Sequence, residues 1–358
     1  MANKTLEASS EPRPKCRGYE YLEDCTWSCS VMIDYSYQGA LFSVLASSNP
    51  NDLPQDYDLD QSIEGKIITE IHDLSYDPPT EEKDEKKTKL HDKLAELASD
   101  VCFPLMRGIA PKSPLPKPRT LEEELYPPSY VLQITTEDDK LIARKIDYER
   151  PVRFPPLSDQ RLQEIAPDLE VPVFDLSEVI LIARVHSLVW KVEVDGEMMI
   201  CKVSMHPIFG TTLANELGVY HKIRRLGDEL KFPKLKGIVR YHTGIIAMLL
   251  SYIPHKHSNL RWILQYVKDG SLPKTEASAA MRTKWGEQIK NSVMRLHEIG
   301  VLWRDVKTDN VLIDDEGDAI VLDFGGGNTV GWVDEDKYGT LEGDIQGLDK
   351  ILAALREE

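Results

Sequence analysis

The stretch W-R-D-V-K-T-D-N, residues 303–310, decides the fold of the second half of this chain, together with D-F-G at residues 323–325. A helical pattern precedes the first stretch, and a short apolar strand, a turn and a second apolar strand connect it to the second. Asp, Asn and Gly are common turn residues, so an ordinary hairpin would also account for the composition. The spacing favours a catalytic motif over an ordinary hairpin, because Lys307 lies two residues and Asn310 five residues after Asp305.

This pattern resembles the catalytic loop and the metal-binding motif of the eukaryotic protein kinase superfamily, with Trp303 at a position that is usually His. The resemblance implies transfer of the γ-phosphate of ATP with the help of Mg²⁺. It assigns Asp305 to orientation and deprotonation of the acceptor hydroxyl, and Lys307 to neutralisation of the transferred phosphoryl group. It assigns Asn310 and Asp323 to the metal ions.

The residues before the loop follow the order expected for the smaller lobe of a kinase domain. Strands are predicted at residues 179–185, 188–194 and 198–203, and the turn signal D-G-E joins the last two. The third strand ends at Lys202. The resemblance assigns this lysine to the α- and β-phosphates of ATP.

The next helical pattern carries Glu216, fourteen residues beyond Lys202. The resemblance makes Glu216 the ion-pair partner of that lysine, whereas the pattern alone also allows a solvated helix charge. An apolar strand at residues 245–250 leads to a segment that resembles the hinge between two kinase lobes, whose backbone groups bind adenine. The hinge residues are Ser251, Tyr252 and Ile253.

Three features depart from the kinase pattern. No glycine lies between Val173 and Asp195, so A-R-V-H-S-L at residues 183–188 replaces the glycine-rich loop that covers the phosphates. Side chains there either hold the loop away from the phosphates or contact them directly. Trp303 replaces His. The sequence after Gly325 has no A-P-E segment and few residues for further helices, so we expect a truncated carboxyl-terminal lobe.

The residues after Gly325 are similar to a group of short protein-kinase-like proteins of filamentous fungi, in which G-D-x-x-G-L opens the last helix. This resemblance implies that Asp344 anchors the backbone of the catalytic loop, and that Trp303 and Arg304 support the loop. A plain helix cap explains the same aspartate equally well. His297, on the helix before the loop, receives no role.

The expected fold class is α+β: a bilobal protein-kinase-like fold with a truncated carboxyl-terminal lobe, preceded by an α/β region of unknown role. In that region, a charge run that begins at Glu81 continues as an amphipathic helix, and residues 130–146 have the pattern of a hairpin. The expected divisions are a disordered tail at 1–17, an amino-terminal region at 18–173 with a proline-rich loop at 111–118, and a kinase-like domain at 174–358, with lobes at about 174–253 and about 254–358.

Composition narrows the classes of partner. The 358 residues carry a formal net charge of −17, which disfavours a nucleic-acid partner because phosphates would repel the chain. No apolar run has the length of a membrane span or a signal core, so we expect no membrane partner, no secretion, and a cytoplasmic or nuclear location. The five cysteines lack paired metal spacing, and we interpret them as free thiols.

Three functions agree with these patterns. The leading one is an ATP- and Mg²⁺-dependent Ser/Thr protein kinase-like phosphotransferase, favoured by Lys307, which small-molecule kinases usually lack. A pseudokinase scaffold is favoured by the missing glycines, but the set of Lys202, Asp305, Asn310 and Asp323 opposes it. A small-molecule kinase is favoured by the short carboxyl-terminal lobe. The substrate, protein or small molecule, and the oligomeric state stay open.

Overall fold

The computed structural model describes residues 13–23, 29–76, 80–111, 118–148, 156–203, 212–224, 226, 231–242, 244–257, 259–327 and 329–357. Contacts within the chain divide it into two compact units, residues 1–151 and 152–358. Each unit contains a hydrophobic cluster of its own.

The first unit contains a five-stranded sheet whose strands follow chain order: β1 (Lys15–Glu23), β2 (Cys29–Tyr37), β3 (Ala40–Ala46), β4 (Ser129–Glu137) and β5 (Lys140–Ile146). Strands β3 and β4 are parallel, and the other neighbouring pairs are antiparallel. The turns at Gln38-Gly39 and Asp138-Asp139 have positive φ at both positions, as two-residue hairpin turns of type I′ require. The hairpin expected at residues 130–146 is therefore present.

Three helices complete the described part of this unit: α1 (Ile63–Tyr76), α2 (Glu81–Ile109) and α3 (Leu121–Leu125). The side chain of Thr80 caps α2 by accepting a hydrogen bond from the backbone N–H of Lys83. Leu94, Ala98 and Cys102 recur at helical spacing on α2 and are fully buried against one face of the sheet. The amphipathic helix that the charge run predicted is thus present.

The structure describes only residues 13–17 of the amino-terminal tail that was expected at residues 1–17. Residues 1–12 lie outside the described residues, as do residues 112–117 of the proline-rich loop. Residues 15–17 were expected to be disordered, but they form the start of β1 and pair with β2. This correction follows from tertiary pairing, which a polar stretch does not reveal by itself.

The second unit begins with a seven-stranded sheet. Its strands are β6 (Leu157–Ser158), β7 (Val173–Asp175), β8 (Ile180–His186), β9 (Val189–Val194), β10 (Glu197–Val203), β11 (Leu235–Tyr241) and β12 (Gly244–Ser251). The order is β7-β11-β12-β10-β9-β8, and β6 pairs with β12. The β9–β10 turn is Asp195-Gly196, again with positive φ at both residues. Helices α4 (Asp159–Ile165) and α5 (Thr212–Ile223) belong to the same part of the unit.

The boundary between the units differs from the expected boundary at residues 173 and 174. Strands β6 and β7 pair with β12 and β11, and α4 contacts α5. These contacts place residues 152–173 in the second unit. The expected start of the kinase-like domain was therefore too late in the chain, because its two-residue and three-residue strands have no recognisable pattern of their own.

The remainder of the second unit is mostly helical. It contains α6 (Leu260–Lys268), α7 (Ala279–Glu298), the short hairpin of β13 (Val311–Ile313) and β14 (Ala319–Val321), and α8 (Leu341–Arg356). On α7, Trp285, Ile289 and Val293 form a fully buried stripe at helical spacing. The same hydrophobic cluster contains Met248 of β12, so the sheet part and the helical part share one core. This mixture of sheet and helix fits the α+β class.

A search of the described residues finds no helix that is both long enough and apolar enough to cross a membrane.

Candidate active site

An ion-pair cluster links the sheet part to the helical part of the second unit. The Nζ atom of Lys202, on β10, lies 2.7 Å from Oε1 of Glu216 and 2.8 Å from Oδ1 of Asp323. Glu216 comes from α5, and Asp323 follows β14 with a positive φ of 62°. Only the fold brings these three side chains together, because Lys202 and Asp323 are 121 residues apart.

Burial sets the protonation of this cluster. Desolvation raises the pKa of Glu216 to about 7, although the charge of Lys202 opposes that shift. For Lys202, desolvation acts against the charged form, but the charges of Glu216 and Asp323 outweigh it and raise its pKa. Desolvation also acts against a charged Asp323, and the charge of Lys202 reverses it and lowers the pKa of that carboxyl group. The lysine is therefore a firmly held cation beside an ionised Asp323.

A second cluster surrounds Asp305. Its Oδ2 atom lies 2.6 Å from Nζ of Lys307 and accepts a 3.0 Å hydrogen bond from Nδ2 of Asn310. Asn310 also donates to the backbone carbonyl of Asp305 at 2.9 Å. Asp305 and Asn310 are both buried, so the loop holds its carboxylate in one position. A carboxylate fixed in this way can accept a proton from a hydroxyl group that approaches it.

Thr329 completes this second cluster, although the sequence pattern predicts no role for it. Its hydroxyl group donates to Oδ1 of Asp305 at 2.9 Å and accepts from Nζ of Lys307 at 2.8 Å. Thr329 lies six residues after Asp323 in a glycine-rich stretch, G-G-G-N-T. Those glycines are the sequence feature that could have pointed to Thr329, because glycine lets the chain turn back towards the catalytic loop within a few residues.

Asp344 holds the backbone of the catalytic loop. Its Oδ2 atom accepts from the backbone N–H of Trp303 at 2.7 Å, and its Oδ1 atom accepts from the N–H of Arg304 at 2.8 Å. Arg304 has a positive φ of 71°, so these two bonds fix a turn that a non-glycine residue rarely adopts. The side chain of Asp344 is 1% exposed.

His297 also takes part in this anchor. Its Nε2 atom donates to Oδ2 of Asp344 at 2.8 Å. The sequence pattern predicts no role for His297, because a single histidine beside the apolar stripe of a helix is usually a packing residue. The structure corrects that prediction, since His297 supplies the third hydrogen bond to a buried carboxylate.

Two glycines let α8 approach neighbouring segments closely. A Cβ atom on Gly347 would lie 2.6 Å from Cβ of Val306 in the catalytic loop. A Cβ atom on Gly343 would collide with the backbone carbonyl of Lys337. The two glycines of the G-D-x-x-G pattern thus have a steric cause: Gly347 lets α8 approach the catalytic loop, and Gly343 lets the helix start close against the turn before it.

Buried aromatic rings lie behind the two clusters. Trp303 is fully buried, and its indole N–H donates to the carbonyl of Leu322 at 2.7 Å. Phe324 packs edge-on against Tyr220 of α5, with ring centroids 5.5 Å apart. The hydroxyl group of Tyr220 makes no hydrogen bond within the described part of the chain. Trp303 at the usual histidine position therefore acts through packing and one backbone contact.

The hinge candidates lie at the end of β12. Ser251 makes two hydrogen bonds to the backbone of Lys234. Its N–H donates to the carbonyl of Lys234 at 2.8 Å, and its hydroxyl oxygen accepts from the N–H of Lys234 at 2.9 Å. The ring of Tyr252 lies 3.8 Å from Nζ of Lys191, a cation–π contact. The carbonyl of Ile253 accepts from Nδ1 of His255 at 2.6 Å. Ser251 lies opposite Met199, so the hinge segment starts beside the strand that carries the site lysine.

The glycine-free hairpin between β8 and β9 is closed by its own side chains. The guanidinium group of Arg184 donates to the carbonyl of Ser187 at 2.6 Å and lies over the ring of Trp190. His186 pairs with Val189, which in turn pairs with Lys202, so His186 and Lys202 lie on the same face of the sheet. Arg184 pairs with Trp190 and lies on the opposite face.

The donor set suits Mg²⁺, a hard cation that prefers oxygen ligands. Asp323 offers a carboxylate whose side chain is 47% exposed. Asn310 uses its amide nitrogen for Asp305, and its amide oxygen makes no hydrogen bond to the residues that the structure describes. An unpaired amide oxygen and an accessible carboxylate fit the two metal-binding positions that the resemblance implied.

The comparisons with known proteins agree with this geometry. Residues 221–341 match the protein kinase domain. The chain is 32% identical over 98 residues to the serine/threonine-protein kinase PKH3 of Eremothecium gossypii, covering 26% of this chain and 13% of that protein. It is 37% identical over 67 residues to CBL-interacting serine/threonine-protein kinase 13 of Arabidopsis thaliana, covering 18% and 13%. It is 32% identical over 81 residues to ribosomal protein S6 kinase alpha-4 of Homo sapiens, covering 21% and 10%.

Residues 221–341 are therefore similar to the protein kinase domain, and the first two of these relatives are named as Ser/Thr kinases. The chain spans only 10–13% of the length of these three curated relatives. The matched segment starts after Lys202 and Glu216, so the kinase-like arrangement of those two residues rests on the structure alone.

Proposed function

We propose that this protein is a Mg-ATP-dependent phosphotransferase of the Ser/Thr protein kinase type, which transfers the γ-phosphate to a hydroxyl group of a protein. The observation that carries the proposal is the pair of clusters around Lys202 and Asp305. A cation for the phosphates, oxygen ligands for metal ions and a fixed carboxylate for the acceptor are the parts that phosphoryl transfer requires.

In this proposal, Mg-ATP supplies the transferred group and the metal charge when it is bound. Lys202, oriented by Glu216, binds the α- and β-phosphates, and Asp323 and Asn310 hold the metal ions. Asp305 orients the acceptor hydroxyl and accepts its proton as transfer proceeds. Lys307 lies beside Asp305 and lowers the cost of the negative charge that develops on the transferred group.

The presence of Lys307 supports a Ser/Thr hydroxyl of a protein as the acceptor, because small-molecule kinases usually lack a lysine at this position. Lys307 is held between Asp305 and Thr329, so its charge stays next to the carboxylate that receives the acceptor. The relatives with matching segments are named as Ser/Thr kinases, which agrees with this class of acceptor.

One observation favours a second candidate, a pseudokinase scaffold. The β8–β9 hairpin has no glycine and presents side chains where backbone N–H groups would approach the phosphates. In that case the clusters would stabilise the fold, and the protein would act through its surface.

Two measurements separate the candidates. Mg-ATP at about a hundredfold over its dissociation constant should stabilise the folded state by about 2.7 kcal/mol, and the chain should release ADP in a turnover assay. Asp323→Asn should lose both effects. Asp336→Asn is the matched control, since Asp336 is an exposed carboxylate on a turn in the same unit.

Each outcome has a definite meaning. No thermal shift with Mg-ATP would overturn the proposal in favour of a scaffold without nucleotide. A shift without turnover, on any of several protein and peptide acceptors, would favour a nucleotide-binding scaffold.

A further inference from the structure

We propose that a groove on the helical part of the second unit binds an acidic, amphipathic helical segment of a partner protein. This basic groove has a volume of about 700 Å³ and lies between the end of α6, the first half of α7 and the end of α8. The binding needs no nucleotide, so the inference is independent of the proposed function. The cations of the basic groove are Lys268, Lys274, Arg282, Lys290 and Arg356.

The charge of the basic groove is opposite to that of the whole chain. Five cations and two carboxylates, Glu287 and Glu357, line it, whereas the chain carries a net charge of −17. Lys274, Lys290 and Arg356 are exposed and make no ion pair with any residue that the structure describes. Lys268, in contrast, lies 3.9 Å from the carboxylate of Glu357. The three cations without such a partner attract an acidic ligand and steer its approach.

The amino terminus of α7 adds to this positive field. The helix is 20 residues long, and Ser278, its cap, satisfies the backbone N–H of Met281. Ser278, Ala279 and Thr283 all line the basic groove. The positive end of the helix dipole therefore acts in the same direction as the five side chains.

The floor of the basic groove is apolar. Gly286 brings α7 and α8 together, because a Cβ atom on it would lie 3.1 Å from Cδ2 of Leu352. Val267, Ala277 and Leu355 also line the floor. A ligand that fits must therefore present apolar side chains towards the floor and carboxylates towards the rim.

An amphipathic helix with glutamates beside an apolar stripe satisfies both requirements, as in other helix-in-groove interfaces. A small anion would use the rim and leave the floor exposed. A second copy of this chain is disfavoured, because two chains with a net charge of −17 repel each other. We therefore assign the basic groove to a segment of a different protein.

The test uses the full chain and three fluorescein-labelled helical peptides of equal length. The first has glutamates along one face and leucines along the other. In the second, lysines replace the glutamates, and in the third, serines replace the leucines. Fluorescence anisotropy should show binding of the first peptide, weakened by salt, and binding of the other two at least about tenfold weaker.

Two double variants locate the binding. Lys290→Glu with Arg356→Glu should weaken binding of the first peptide at least about tenfold. Lys222→Glu with Arg224→Glu makes the same change in net charge at exposed positions outside the basic groove, and it should change affinity less than about twofold. If the first double variant fails to fold by circular dichroism, Lys274→Glu on the exposed turn before α7 takes its place, with the same direction expected.

Five results would overturn the proposal. Equal binding of the glutamate and lysine peptides would remove the charge argument, and equal binding of the serine peptide would reduce the site to one for small polyanions. Equal weakening by both double variants would place binding elsewhere. Failure of all three peptides, or self-association that the groove variant abolishes, would exclude a partner segment.

Discussion

The catalytic loop and the β8–β9 hairpin lie on two sides of the same candidate site, and they are built in opposite ways. In the loop, Asp344 accepts three hydrogen bonds, and Asp305 is held by a lysine, an asparagine and a threonine. In the hairpin, residues 183–187 are exposed, and Arg184 and His186 contact only near neighbours among the described residues. The chain fixes the groups proposed to act on the acceptor more firmly than those proposed to cover the phosphates.

This difference leads to an expectation about energetics. Loss of a fixed group in the loop should abolish turnover or unfold the second unit, because its partners stay buried without it. Loss of a side chain in the hairpin should change nucleotide affinity by a small factor, because solvent replaces it.

The largest effect is expected at Asp305. Asp305→Asn should lower turnover by about 10²–10⁴-fold, because the amide cannot accept the proton of the acceptor. Mg-ATP affinity by calorimetry should change little, since the proposed contact of Asp305 is to the hydroxyl group. Asp309→Asn is the control, because Asp309 lies in the same loop but pairs with the exposed Arg261. Wild-type turnover in Asp305→Asn would contradict the catalytic assignment.

A large loss of stability is expected at Asp344. Asp344→Asn should destabilise the second unit by about 3 kcal/mol, because a neutral amide replaces a buried carboxylate that accepts three hydrogen bonds. Denaturant unfolding measures the change, and turnover should fall as the loop loses its anchor. Asp349→Asn, an exposed position on the same helix, should change stability by less than about 0.5 kcal/mol. Equal effects of the two variants would mean that Asp344 is an ordinary helix residue.

The pH dependence tests the ion pair of the site. Because burial raises the pKa of Glu216 to about 7, this group is protonated below that pH and attracts Lys202 less strongly. The ratio of Mg-ATP affinity between the wild type and Glu216→Gln should therefore grow as pH rises through about 7. The protonation of ATP is the same for both proteins and cancels in this ratio. A ratio that stays flat between about pH 5.5 and 8.5 would contradict the raised pKa.

A smaller effect is expected in the hairpin. His186→Ala should weaken Mg-ATP binding by about threefold to tenfold and leave adenosine binding unchanged, because His186 shares the face of Lys202. Arg184→Ala is the matched control, since Arg184 lies on the opposite face. An equal loss in both variants, or a loss of adenosine binding, would indicate that the hairpin has unfolded rather than lost a phosphate contact.

The smallest effect is expected behind the site. Tyr220→Phe should stabilise the second unit by about 1 kcal/mol, because it removes a buried hydroxyl group that has no hydrogen bond within the described part of the chain. Thermal unfolding measures the gain. A loss of stability would mean that the hydroxyl group has an unrecognised partner, such as an ordered water molecule.

The sequence predicted those parts of the site in which spacing is short and residue types are restricted. Asp305, Lys307 and Asn310 occur within six residues, and the D-G turn before Lys202 requires positive φ at both positions. These local patterns were sufficient to predict strands β8–β10 and β12 within a few residues, and to indicate helices α5 and α7 and the short strands β13 and β14. The match of residues 221–341 to the protein kinase domain agrees with that prediction.

The sequence could not predict contacts that depend on the third dimension. Thr329 and His297 are ordinary residues in their own segments, and they gain importance only because glycines bring Asp344 and the chain after Asp323 against the catalytic loop. The strands β6 and β7 are too short to show a period, so the start of the second unit was placed too late. The sheet of the first unit was missed at β1–β3, since three adjacent strands interrupted by polar residues did not stand out.

The contact between Gly347 and Val306 limits how this protein can be recombined. Helix α8 packs so closely against the catalytic loop at this contact that there is no room for a side chain at position 347. A chimera that takes the catalytic loop from a homologue but keeps α8 would combine a loop and a helix whose surfaces do not match. Residues 297–356 should therefore be inherited, exchanged or engineered together, with crossover points placed before His297 and after the end of α8 at Arg356.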